Sequence, residues 1–291
     1  MLKPDQWSTL IMSMRSGECV PFLGAGASLG FEGAVGLPTG GELAAELAKA
    51  CDYPGTDHTD FLRVAQYYEM VRTPLLLRRF ISSKIKVPDV VPGKVHRTIA
   101  ALPFHTVLTT NFDTLMEQAF AEFVGPNGEH KKPAMAYYKL RANEETLAPP
   151  TIAEPLVYKL HGTVDQSTTM VVTEDDVVDF LTCVMLKSPP LPDPVRAIFA
   201  NQTILFIGYG LKDWNIRVLL RSMRERRGLA SMVGTASFAV QRRPEEINPA
   251  REWDAAIAYW NRTEGLTCID ADAVTFIEEL KNKYDAGEGR L

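Results

Sequence analysis

The chain alternates short, continuous apolar runs with longer segments in which apolar residues recur every three or four positions. Unbroken runs such as Cys19 to Leu23 and Thr203 to Ile207 predict strands buried on both faces. Further strands are predicted at Thr106 to Thr109, Met135 to Lys139, Leu156 to Leu160, Thr169 to Val172, Ser237 to Val240 and Leu266 to Ile269. A short helix is expected before Cys19, with others near 174–186, 193–200, 213–226, 245–260 and 272–284. Thr39 and Glu42 have the capping-box spacing ahead of Leu43, Ala44, Leu47 and Ala48, so another helix starts near Thr39. Apolar strands alternating with helices imply an α/β fold, a Rossmann-like parallel sheet with helices on both faces.

Residues 60–101 break the alternation. Phe61 to Ala65 and Leu75 to Ile81 are helical in pattern, and Pro88, Pro92 and Gly93 fall in the connections. With no strand pattern there, residues 52–103 read as a small helical module inserted in the core of one domain, 1–291.

At 291 residues, 46% hydrophobic and 23% charged, the composition fits one such domain. A formal net charge of -5 argues against general affinity for duplex nucleic acid. The basic run Arg221 to Arg227 fits the solvated end of a helix better than a phosphate contact. Cysteines at 19, 51, 183 and 268 form no Cys-x-x-Cys pair, so neither a disulfide framework nor a zinc site is expected. The N-terminus lacks a signal pattern and no apolar run is long enough to span a bilayer, so the expectation is a soluble, cytoplasmic protein.

In an open parallel sheet, ligands bind beyond the carboxyl ends of the strands. Four predicted strands end in unusual residues: Gly24-Ala25-Gly26-Ala27-Ser28, Asn111-Phe112-Asp113, His161-Gly162 and Gly208-Tyr209-Gly210. A loop of Gly, Ala and Ser lets backbone amides approach a diphosphate. Gly24, Gly26 and Gly30 nevertheless miss the strict dinucleotide spacing, and no acidic residue closes a second strand about twenty positions on. A tight turn therefore remains open, and an ordinary dehydrogenase is disfavoured. Asn111 and Asp113 fit an Asx cap as well as a ligand contact, and Asp213 fits an N-cap. His161 fits a core histidine as well as a general base. At equivalent sheet positions, the set points to one nucleotide crevice.

GAGAS at 24–28, GLPT at 36–39, TTNFD at 109–113, KLHG at 159–162, VVTEDDVVDFL at 171–181 and GYGLKDWNI at 208–216 follow one another in an order that resembles sirtuin-like proteins. The set is most similar to the sirtuin-like NADase family of bacterial anti-phage defence, and to its short stand-alone type that partners a HerA-type ATPase. The resemblance covers about 20–240. It implies a Rossmann-like fold with a smaller module, and NAD as a substrate. Gly24, Ala25, Gly26 and Ser28 would then line the diphosphate and ribose, with Pro38 and Thr39 on the loop covering the nicotinamide. Gly208, Tyr209 and Asp213 would meet the rest of the dinucleotide. Asn111 would orient water or ribose hydroxyls with Asp113 beside it, and His161 would be the base at the ribose.

Two departures qualify this likeness: the two Cys-x-x-Cys pairs of sirtuin deacylases are missing, and the usual serine of the last motif is Gly210. The expected reaction is hydrolysis of NAD+ to nicotinamide and ADP-ribose. The alternatives are a non-catalytic NAD or ADP-ribose sensor, and an NAD-dependent protein deacylase lacking the zinc module. The resemblance further implies a homo-oligomer and a hexameric HerA-type ATPase partner. Regulation is expected from assembly or a separate protein, because no appended sensor domain is read in the chain.

Overall fold

A computed structural model describes residues 2–30, 35–140, 146–210, 214–224, 237–243, 247–263 and 265–288. Its strands are β1 (Cys19–Leu23), β2 (Thr106–Thr109), β3 (Ala134–Tyr137), β4 (Leu156–Lys159), β5 (Thr203–Ile207), β6 (Ser237–Val240) and β7 (Leu266–Ile269). They form a sheet in the order β3-β4-β2-β1-β5-β6-β7, and each neighbouring pair is parallel. The central strand β1 lies between β2 and β5, so the chain places β2, β3 and β4 on one side of it and then β5, β6 and β7 on the other. That reversal makes the carboxyl end of β1 the switch point at which a crevice opens.

The helices are α1 (Pro4–Arg15), α2 (Gly40–Ala50), α3 (Phe61–Val71), α4 (Pro74–Ile85), α5 (Lys94–Ala101), α6 (Leu115–Glu122), α7 (Glu174–Leu186), α8 (Asp193–Asn201), α9 (Trp214–Arg224), α10 (Ile247–Thr263) and α11 (Ala273–Asp285). Alternate strand residues feed two apolar layers, as the period of two requires. Cys19, Leu23, Val107, Val157, Leu205 and Phe238 pack with Trp7 and Leu10 of α1, Ile99 of α5, Phe120 of α6 and Phe276 of α11. Val20, Phe22, Leu108, Tyr158 and Phe206 face the other way, onto Phe180 of α7, Phe199 of α8, Leu219 of α9 and Trp260 of α10.

A third, smaller core joins Leu43 and Leu47 of α2, Val64 and Tyr68 of α3, and Leu77 and Ile81 of α4 with Val164, Met170 and Val172. Its membership differs from the 52–103 segment. Helix α2 belongs to it, while α5 packs on the main sheet through Val95 and Ile99. The apolar face decides this, because α5 turns that face toward α6 and α11.

Thr169 to Val172 is not a strand: a 3-10 turn covers Ser167–Thr169. The buried run Met170-Val171-Val172 donates instead to single acceptors, with Val171 N–H on the His161 carbonyl at 3.0 Å and Val172 N–H on Asp176 Oδ2 at 2.9 Å. Burial gave this segment the look of a strand.

Candidate active site

The glycines of the first loop allow two backbones to touch. Gly24 N–H donates to the Ile207 carbonyl at 3.0 Å, and Gly26 N–H to the Gly208 carbonyl at 2.9 Å. A Cβ on Gly26 would lie 2.8 Å from Gly208 Cα. One on Gly208, where φ is +69°, would lie 2.2 Å from Ala27 N. Ala27 N–H is likewise committed, to the Gly24 carbonyl at 2.9 Å. The loop therefore contributes thinness above all, since three of its amides are already bonded within the protein.

This thin seam separates two cavities. One of about 930 Å³ is lined by Gly26, Ala27, His96, Gly93, Val240 and Arg242 among others. The other, of about 680 Å³, is lined by Ala25, Pro38, Asn111, Asp113, His161 and Phe61 among others. Ser28, Gly208, Tyr209 and Gly210 line both. A Cβ on Gly210 would meet nothing within 4 Å among the described residues, so none of them forces the departure from serine there by crowding. Asn111 and His161, predicted from different strand ends, thus share one chamber.

Around Asn111 the polar groups are closely tied. Thr109 Oγ1 donates to the Leu23 carbonyl at 2.9 Å and accepts Asn111 N–H at 2.9 Å. Asn111 Nδ2 donates to the Gly24 carbonyl at 3.0 Å and to Ser28 Oγ at 3.3 Å. That pattern fixes which end of the amide is which and leaves Oδ1 as its remaining polar atom. Ser28 Oγ in turn donates to Asp113 Oδ2 at 3.0 Å, while Asp113 Oδ1 accepts Leu115 N–H at 3.0 Å. Asp113 therefore closes an Asx turn just ahead of α6 and is a member of this cluster at once.

Three further residues, which sequence reasoning missed, complete the cluster. His96 is buried on α5, with Nε2 3.5 Å from Ser28 Oγ and Nδ1 without a hydrogen-bond partner among the described residues. Burial pushes its imidazole below the usual range; Asp113 works against that shift and Lys159 reinforces it. Lys159, buried in β4, donates to the Asp113 carbonyl and lies 3.0 Å from Glu117 Oε1. Burial raises the Glu117 carboxyl despite that cation. A lysine inside an otherwise apolar strand was the available signal, because a buried ammonium requires partners.

His161 is held differently. Its ring meets the Phe180 ring edge to face at 5.0 Å, and its backbone carbonyl accepts from Val171. Burial pushes the imidazole down to about 4, so it is neutral at pH 7 and only weakly basic. Gly162 turns the chain away at φ +79°, where a Cβ would strike the Thr169 carbonyl at 2.1 Å. Pro38 lines the same chamber as His161, whereas the Thr39 hydroxyl is engaged in the capping box with Glu42. Asp213 lies outside the described residues. Among the described residues no cluster of His, Cys, Asp and Glu could hold a metal ion, and no helix is long and apolar enough to cross a membrane.

The SIR2-like domain family matches residues 105–268, more than half of the chain. The chain is similar to the NAD(+) hydrolase ThsA of Cytobacillus dafuensis, at 26% identity over 260 residues, which cover 89% of this chain and 50% of that protein. It is similar to Defense-associated sirtuin 2 of Bacillus subtilis, at 27% over 276 residues, covering 94% of this chain and 24% of that protein. ThsA of Enterococcus faecium is 26% identical over 221 residues, covering 73% of this chain and 41% of that protein. The chain spans half or less of the length of these curated relatives.

Proposed function

This chain belongs to the SIR2-like domain family, and from that premise we propose that it hydrolyses NAD+ to nicotinamide and ADP-ribose as an effector of anti-phage defence. One observation carries the reading: two cavities meet across a seam of glycines and Ser28 beside Tyr209, and the smaller gathers Asn111, Asp113 and His161. A dinucleotide is two nucleosides joined by a diphosphate, so it suits two chambers joined at a wall of little bulk. The names of the similar NAD(+) hydrolases support the same substrate.

In the proposed step the bond between C1′ and the pyridinium nitrogen breaks and its electron pair goes to nicotinamide, which leaves neutral. The ribose gains oxocarbenium character. A water oxygen bonds to C1′, and its proton passes to solvent. Asn111 Oδ1 offers a lone pair to that water or to a ribose hydroxyl. Asp113, already bonded to Ser28 and Leu115, contributes negative charge near the developing cation. Neutral His161 acts as a hydrogen-bonding partner at the ribose; so electrophilic a carbon needs little help from a strong base.

The competing reading is a binding-only one, in which the same chamber holds NAD+ without turning it over. Chromatography of NAD+ incubated with the purified chain separates the two: nicotinamide release is expected, and tight calorimetric binding without it would select the sensor. The proposal extends to self-assembly and a HerA-type ATPase partner. Size-exclusion chromatography and co-purification test that extension, and a stable lone monomer counts against it.

A further inference from the structure

The segment Thr173-Glu174-Asp175-Asp176 is not used by the chemistry above, yet each of its acids meets a side chain of α3 or α4. Glu174 lies 3.6 Å from Arg63 Nε, and Asp175 exchanges hydrogen bonds with Gln66 at 3.0 and 3.1 Å. Those contacts are exposed or partly so, and such pairs contribute little. Asp176 differs. It faces Arg78, whose side chain is only 13% exposed, at 3.3 Å, and Arg78 also holds Glu69 of α3 at 3.0 Å.

Asp176 has a second task. Its Oδ2 accepts Val172 N–H at 2.9 Å and Thr173 N–H at 3.2 Å, directly beyond the Val171 amide that bonds the His161 carbonyl. One carboxylate therefore ties the chain leaving His161 to the guanidinium of α4. On the module side, Phe61, Leu62 and Ile85 line the smaller cavity; on the other, Val171, Val177 and His161 do. The Arg78–Asp176 contact spans these two walls.

We propose that Arg78 and Asp176 are positioning residues, which set the separation between the module wall and the His161 wall of the nucleotide chamber. This rests on the assignment of that chamber to NAD+. An arginine suits the role because its planar fork holds one carboxylate on α3 and another on α7 at the same time. A lysine keeps the charge and loses the fork.

The test compares wild type with Arg78→Lys, Asp176→Asn and Glu69→Gln. Glu69 is the control, since its pairing with Arg78 Nη1 lies within the module and the Gln amide oxygen can still accept from that nitrogen. Hydrogen–deuterium exchange should quicken in residues 161–173 and 59–62 for Arg78→Lys and Asp176→Asn, and stay at the wild-type rate in β5. In nicotinamide release the same two variants should raise KM for NAD+ about tenfold or more, with Glu69→Gln within twofold of wild type. A merely structural role would lower the melting temperature and speed exchange throughout, leaving the KM of the folded fraction unchanged; that result overturns the proposal. An equal effect of Glu69→Gln overturns it too. If wild type releases no nicotinamide, the hydrolase reading falls, and local exchange with NAD+ affinity by calorimetry still decides the positioning roles.

Discussion

Asn111 and His161 line one chamber and are held there by opposite means. Asn111 is fixed by directional bonds to Gly24, Ser28 and Thr109, each with a defined donor and acceptor. His161 is fixed by burial, the edge of Phe180 and its own backbone. The first corner therefore tolerates no change in hydrogen-bonding pattern. The second tolerates a change of polar group and responds to pH.

Asn111→Asp gives the largest contrast, because it preserves shape while replacing the Nδ2 donor with an oxygen aimed at the Gly24 carbonyl. Turnover of NAD+ should fall about 100-fold or more, comparable to losing one preorganised polar group in other active sites. Steady-state kinetics within tenfold of wild type would remove the directional corner from the mechanism. Gly208→Ala strikes the seam that both corners share, at φ +69° and 2.2 Å from Ala27 N. A loss of about 2–3 kcal/mol of unfolding free energy is expected, and urea melts matching wild type would show that the loops do not need the close approach.

Ser28→Ala sharpens the comparison further, since it leaves Asp113 Oδ2 and Asn111 Nδ2 each short of a partner. The cost should be about 1–3 kcal/mol. The counterpart His161→Gln, which breaks no side-chain network, should cost less in the same melts. If His161→Gln proves the more damaging to stability, the contrast between bonded and packed corners is wrong.

The smallest effect concerns pH. His161 titrates near 4 in the fold and near 6.5 when unfolded, so between those values the unfolded chain binds the extra proton. Its contribution is fully present above pH 6.5 and is lost as pH falls toward 4. His96, also depressed by burial, acts in the same direction. Denaturant titrations at pH 7 and pH 5 should show wild type losing more stability than His161→Gln; parallel losses would mean that the His161 imidazole is not buried in solution.

The sheet and its four special ends were legible because β1 and β5 are near-continuous apolar runs closed by glycine, the pattern of strands buried on both faces. The segment at 169–172 misled because burial and β-branching imitate a strand, while its amides are taken up by His161 and Asp176. His96 stayed hidden within Val95-His96-Arg97-Thr98-Ile99, whose spacing describes a helix and says nothing of the serine 68 positions earlier that it approaches. Lys159 was visible as an anomaly, but the choice of Glu117 and the Asp113 carbonyl as its partners is made by the tertiary fold. Local chemistry can be read along the chain; long-range pairing cannot.

The shared wall of Ser28, Gly208, Tyr209 and Gly210 gives the crevice a sense of length. A ligand that reaches across it engages both chambers with one loss of translational freedom, whereas two separate halves each lose their own. On the proposed reading, adenosine monophosphate and nicotinamide mononucleotide supplied together would be poor substitutes for the joined molecule, with the partition acting as a ruler for dinucleotides.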